Sequence, residues 1–312
     1  MVKTLTVTIS FAAAAALTAC NGANVSSVPP MQTAAAPTAI KAPANTAYVL
    51  RDAQGRAVQG AHVMLTRPGA ERLRPNRRTN NLNYYGGPVQ TTPSIYVVFW
   101  GFTSDPSGEA TRVVNFLNAV GASQWLNTVT QYYQSGPVHI SNPAGQLKGS
   151  WYENSSVPAH PTDSQVAAES VKLAQHFGVY SENVSYVVAT PTGHSTSGFG
   201  TQWCAYHSVT SSNGATIPYT NFPYMTDAGA SCGKNSVNGG PAGLLDGVTI
   251  VGGHELAETQ TDPGAGNGWL DSHGSEIGDK CAWTNLQNTS FGQYGSFPTQ
   301  PLWSNSAGGC VQ

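Results

Sequence analysis

Charge is the first thing this chain has little of. Only 10% of its 312 residues are Asp, Glu, Lys or Arg, and 14 basic against 16 acidic side chains leave a formal net charge of −2. So weak a field excludes attraction to the phosphates of nucleic acid and leaves no polybasic patch for an anionic membrane. Cysteine is sparse, with 5 residues and no C-x-x-C pair, which argues against a four-cysteine zinc site. Long apolar runs are missing. The stretch "LTVTISFAAAAALTAC" (5–20) falls short of the roughly 20 residues that a membrane-spanning helix needs. What the chain holds in quantity is 34 Gly and 20 Pro, with Ser, Thr, Asn and Tyr, the composition of a loop-rich extracellular protein. Its length suits one large domain or two small ones.

The N-terminus points the same way. Lys3 precedes the apolar stretch, the pattern of an export signal. Leu17-Thr18-Ala19-Cys20 resembles the bacterial lipobox, which implies cleavage before Cys20, acylation of Cys20 and a lipid bilayer as partner. The rival is an ordinary signal peptide with a chance cysteine. Asn21 rather than Asp after the cysteine favours the outer membrane by analogy with the bacterial sorting rule. Setting Cys20 aside leaves Cys204, Cys232, Cys281 and Cys310, an even number in an exported chain and so two disulfides. Three pairings exist on paper. The two sequence-local ones, Cys204–Cys232 and Cys281–Cys310, are favoured, each closing a loop of roughly 30 residues worth about 3–4 kcal/mol in the chain-entropy account.

Four segments are expected: a signal peptide (1–20), a disordered Ala/Pro-rich tether (21–45), a small β segment with a basic loop (46–83) and one α/β domain (84–312). Residues 47–69 alternate around "DAQGRA" as a hairpin would, and "AERLRPNRRTNN" (70–81) reads as a solvated loop. "SIYVVFWG" (94–101) and "SYVVATP" (185–191) read as buried strands. Ser107 is placed to cap a helix through Leu117, a second helix carries Trp125, Val129 and Tyr132, and a third ends at Gly178. "ATIPYTNFPYM" (215–225) reads as an edge strand, because Pro218 and Pro223 lack ladder donors. "PAGLLDGVTIVGGHELAETQTDP" reads as the longest helix, stopped at Pro263 and followed by a loop-rich tail with short strands. The expected class is α/β, a single main sheet with flanking helices.

That long helix carries the chemistry. His254 and Glu258 stand four residues apart, on one helix face, with Glu255 one step round. The arrangement is H-E-x-x-E, a zinc-peptidase helix with Glu258 where the second histidine would stand. Zinc accepts carboxylate oxygen at ~2.0–2.2 Å, so His254 and Glu258 suit a metal, with Glu255 as the base that activates a bound water. Among "LDSHGSEIGDKC" downstream, Glu276 is the first choice of third ligand and Asp279 the next, with Asp262, Asp271 and His207 behind them. Asp262 and Asp271 better suit carboxylates that orient His254. Gly252 and Gly253, each costing about 1 kcal/mol in a helix interior, imply a close approach or a cleft. The bland alternative is a structural hydrogen-bonded cluster. Calcium through Asp262, Asp271, Glu276 and Asp279 is a further option, but it wants six or more oxygens and little histidine.

Elsewhere the signals are weaker. "TGHSTSGFG" (192–200) follows a strand, but Ser197 stands where a nucleophile elbow centred on Ser195 would need Gly, so it reads as a Gly/Ser loop. His194 is free to face the cleft; His62, His139, His160 and His176 receive no role. Tyr132, Tyr133, Trp151, Trp203, Trp269, Trp283 and Trp303 would suit a sugar groove, although such rings more often fill a core.

The order "YYGGPVQTTPSIYVVFWG", "YYQSGPVHISN", "SYVVATPTGHSTSGFGTQWCAYHS", "LDGVTIVGGHELAETQTDPGAGNGWLD" resembles the plant Exordium, or phosphate-induced, proteins and their bacterial relatives over about residues 84–312. The resemblance is to the bacterial branch, with "HE-x-x-E-x-x-T-D-P" and a later "E-I-G-D-x-C", and it implies export and fold rather than a reaction. Two functions stand at this stage. One is a zinc-dependent hydrolase acting on a peptide or cell-wall bond. The other is a non-catalytic envelope or carbohydrate-binding protein with the same cluster as a structural element.

Overall fold

Residues 49–51, 57–58, 60–73 and 80–312 are described by the computed structural model of this chain. The expected signal peptide with Cys20 and the expected tether lie outside them, as do the tip of the expected hairpin (52–56) and half of the expected basic loop (74–79). Among the described residues, no helix is long and apolar enough to cross a membrane.

The main sheet has six strands: β1 (His62–Leu65), β2 (Ser94–Trp100), β3 (Leu147–Glu153), β4 (Val184–Ala189), β5 (Trp203–Ser212) and β6 (Ala215–Phe222). Their spatial order is β1-β5-β6-β4-β2-β3. The last four run parallel, and β5 runs antiparallel to both its neighbours. The two apolar runs form the middle. Every residue of β4 is buried, and β2 is buried except at Ser94 and Tyr96, as a strand covered on both faces should be. The fold is thus α/β with one main sheet flanked by helices: α1 (Arg67–Leu73), α2 (Glu109–Val120), α3 (Asp163–Phe177) and α4 (Asp246–Thr261).

Strand alternation sends neighbouring side chains to opposite faces. Tyr206 and Tyr219 point to α3, where both hydroxyls donate to Asp163 at 2.9 and 2.7 Å. His207, one residue on, points to α4, 3.3 Å from Glu255. Helix α3 begins on a capping box, Thr162 and Gln165 exchanging side-chain bonds, and ends at Gly178 with φ of 66°.

Four expectations need correcting. Ser107 does not cap α2; both oxygens of Asp105 do, accepting from the amides of Glu109 and Ala110 at 2.8 and 3.1 Å, while the Ser107 amide donates to Tyr224. The 215–225 segment is not an edge strand, because β6 lies between β5 and β4. Pro218 is tolerated there since it stands opposite Val209 in the β5–β6 hairpin, and pairing with β4 begins only at Tyr219. The long helix starts at Asp246, not Pro241; a short 3₁₀ turn occupies Gly240–Gly243. The basic segment also opens with helix rather than loop, since α1 reaches Leu73.

After α4 the chain makes short ribbons, Gln287–Ser290 with Ser296–Thr299 and Leu302–Ser304 with Gly309–Val311. Both expected disulfides form. Cys204–Cys232 ties β5 to the segment before α4, and Cys281–Cys310 ties the 271–284 loop to the last ribbon. Of the aromatic residues considered for a sugar groove, Tyr132, Trp203, Trp269, Trp283 and Trp303 are buried in the core, and only Tyr133 and Trp151 are half-exposed.

Candidate metal centre

Helix α4 runs through the interior, with every residue but Gly252 buried. Gly253 permits this, because a Cβ there would lie 2.9 Å from the Trp125 ring. One turn of α4 presents His254 and Glu258 together, the imidazole Nε2 3.0 Å from Glu258 Oε1.

The loop after the helix closes over that turn. Asp271 folds it by accepting from the amides of His273 and Ser275 at 2.8 and 2.9 Å. Trp303 N donates to Ile277 O, and Gln300 Nε2 to Gly278 O, so the last ribbon holds the loop down. Gly278 then lies directly against the site: a Cβ there would sit 2.7 Å from His254 Nδ1 and 2.9 Å from Glu258 Oε1. Its neighbour Asp279 donates its amide to Glu258 Oε1 at 2.9 Å.

The sheet supplies the other wall. In the β1–β5 pairing His62 stands opposite His207, and their rings stack with centroids 5.5 Å apart. His62 Nδ1 is 2.7 Å from Glu276 Oε2, and His207 Nε2 is 3.5 Å from Glu276 Oε1. His207 Nδ1 lies 3.3 Å from Glu255 Oε2 and 3.7 Å from Glu258 Oε2. Among the described residues, two sets of donors therefore come within 4.8 Å of one another: His254, Glu258 and Asp279; and His207, Glu258 and Glu276.

Burial and crowding shape the proton affinities. Burial lowers His254, but the Glu258 carboxylate outweighs it and lifts the imidazole to about 9. Burial would lower His62 as well; Glu276 reverses that, and it stands at about 9. His207 is raised for the same reason, Glu276 and Glu255 overcoming burial. Burial pushes Glu258 up to about 8 against the pull of His254, with Glu276 and Asp279 adding to the rise. Glu276 goes the other way: burial is overcome by His62 and His207, which hold it far below the usual carboxylate range.

The geometry is poor for hydrogen bonding. His62 Nδ1, His207 Nε2, both nitrogens of His254, Glu255 Oε1 and both oxygens of Glu276 are buried without an aligned hydrogen-bond partner. Ring nitrogens and carboxylate oxygens converge at 2.7 to 3.5 Å, but with the wrong angles to share a proton well. Such convergence is what ligands of a common cation show.

Placement differs from the sequence expectation in three respects. The third partner of His254 and Glu258 is Asp279; Glu276 joins His207 on the opposite side. Asp262 and Asp271 do not orient His254. Asp262 accepts from the amides of Gly266, Asn267 and Gly268, and Asp271 takes Lys280 Nζ at 3.3 Å. Nor do Asp262, Asp271, Glu276 and Asp279 gather into one all-oxygen shell for calcium; the sets that do gather contain a histidine each.

No family model and no solved structure matches the chain. It is similar to Exordium-like 5 of Arabidopsis thaliana, at 28% identity over 238 residues. This supports a relationship to the Exordium proteins. The match covers 64% of this chain and 64% of the plant protein, so it spans just under two thirds of that relative's length.

His62 is the residue that sequence reasoning passed over. It received no role, yet it stands against Glu276. The turn Asn213-Gly214, both at positive φ of 52° and 73°, announces the β5–β6 hairpin and so puts His207 of "WCAYHS" on a strand, but His62 has no such local signal, because its place depends on the pairing of β1 with β5. Ser195 has no part in the cluster; its carbonyl lies 3.3 Å from His160 Nδ1, and His194 Nδ1 is 2.9 Å from Pro158 O.

Proposed function

We propose that this chain is an exported, lipid-anchored metalloprotein of the bacterial envelope, with its metal centre between α4 and the sheet. The observation that carries this is the set of buried ring nitrogens and carboxylate oxygens that converge on Glu258 without forming good hydrogen bonds to one another. Mixed imidazole and carboxylate donors favour zinc over calcium. The lipobox-like Cys20 supplies the bilayer anchor, and the two disulfides suit an oxidising compartment outside the cytoplasm. The ligands are deeply enclosed, none of His254, Glu258, Glu276, His207 and Asp279 being more than 4% exposed. Closed shells of this kind stabilise folds. The primary role of the ion is therefore to hold the 271–284 loop against α4 and the sheet.

A second reading, metal-assisted hydrolysis, is favoured by Glu255. One of its oxygens faces His207 and the other has no partner, and its side chain lines a narrow apolar cavity with Phe116, Val187, Phe222 and Leu256. A peptide or cell-wall substrate whose apolar group enters that cavity would place a scissile carbonyl near the carboxylate that takes the proton from water.

Metal analysis of the purified full chain tests the first reading: zinc is expected in the wild type, lost in Glu258→Ala, and its removal by chelator should lower the melting temperature. No bound metal and no chelator effect would overturn it. For the second, Glu255→Gln should abolish hydrolysis of peptidoglycan peptides or casein while keeping the metal. Equal rates in both proteins would exclude Glu255 as the base.

A further inference from the structure

We propose that the centre holds two divalent cations, bridged by the carboxylate of Glu258. This rests on the metal-centre reading above and goes beyond it. Glu258 is the one residue common to both donor sets, and its oxygens face different ways. Oε1 lies 3.0 Å from His254 Nε2 and accepts the amide of Asp279. Oε2 is turned toward His207, whose ring lies between Glu258 and Glu276. Among the described residues, no donor set within 4.8 Å contains both His254 and His207, so one ion cannot take both imidazoles. A carboxylate that offers one oxygen to each of two neighbouring donor sets is the arrangement of two-metal sites, whose ions stand about 3.5–4 Å apart.

The unsatisfied atoms occur on both sides of Glu258. His254 Nε2 lies on one; His207 Nε2 and Glu276 Oε1 lie on the other. A single ion would satisfy one side and leave the other buried and unpartnered, which is costly in an interior.

In this arrangement Glu255 holds His207 in place through Nδ1, which keeps Nε2 for the ion beside Glu276, and His62 does the same for Glu276 through Oε2. Both are positioning residues.

The test uses the full chain in detergent, stripped with chelator and reloaded with zinc alone. About two zinc ions per chain are expected in the wild type, and about one in each of Asp279→Asn and His207→Gln, which remove a donor from opposite sides of Glu258. Loading with Mn²⁺ gives an independent readout that needs no variant: two bridged ions produce an exchange-coupled EPR spectrum, and a single ion the six-line spectrum of isolated Mn²⁺. One zinc per chain with uncoupled Mn²⁺ would overturn the two-ion proposal and leave a single-ion centre standing. No bound zinc would overturn both.

Discussion

A methyl group added at Gly278 sets two physical effects against each other, and the site decides which wins. The backbone there is ordinary right-handed helix, φ −79° and ψ −43°, so alanine fits the conformation. On backbone grounds alone, Gly278→Ala should stabilise the chain by about 0.4–1 kcal/mol through the unfolded state. The new Cβ, however, would lie 2.7 Å from His254 Nδ1, 2.8 Å from its Cγ and 2.9 Å from Glu258 Oε1. Restoring a contact of 3.4 Å moves the imidazole by about 0.7 Å, and His254 is fully buried with α4 packed behind it. Overpacking of that kind costs about 1–3 kcal/mol, so the net change is a loss of about 1–2 kcal/mol. Displacing a ligand should also weaken zinc binding by about 10- to 100-fold, as loss of an orienting partner does. Equilibrium urea unfolding in the presence of chelator measures the first effect, and competition with a chromophoric chelator the second. A Gly278→Ala chain that is more stable than wild type and binds zinc equally well would refute the close packing of the loop on His254, and with it the site as described.

Two further outcomes are expected. Replacing Cys281 and Cys310 by serine opens a loop of 29 residues and should cost about 3–4 kcal/mol, seen as a lower urea midpoint; zinc affinity should fall with it, since that disulfide anchors the loop that carries Glu276 and Asp279. Burial pushes Glu109 up to about 7 from an ordinary 4.5, the amides of Met225 and Thr226 opposing the rise. Its folded form therefore binds the proton more tightly than the unfolded one, and its contribution is full below about pH 4.5 and lost as pH climbs to about 7. The ceiling is about 3 kcal/mol at 1.36 kcal/mol per pH unit. Unfolding measured across that range in wild type and Glu109→Gln should give a stability difference that changes with pH below 7 and is constant above; a difference independent of pH throughout would contradict it.

Local physics explains what could be read from the chain in advance. Strands β2 and β4 follow from uninterrupted β-branched and aromatic runs, and the stop of α3 from a glycine that takes left-handed φ. The sequence-local cysteine pairs met because their loops are short to close. What failed was reasoning from one residue's habit. Pro218 suggested an edge, yet it occupies a place where the missing donor is not needed. Ser107 looked like a cap, but Asp105, two residues earlier, reached the helix amides with both oxygens.

The amino-acid order alone set His254 and Glu258 on one turn of a helix, because 3.6 residues per turn fixes that neighbourhood wherever the helix lies. It could not choose which downstream carboxylate joins them, or bring His62 and His207 to the same place. Those choices depend on strand register, which seats His62 opposite His207, and on a loop pinned by a disulfide and the last ribbon. Contacts between residues far apart in the chain carry no local signal, so only the packed sheet, helix and loop decided that one carboxylate would stand between two histidines.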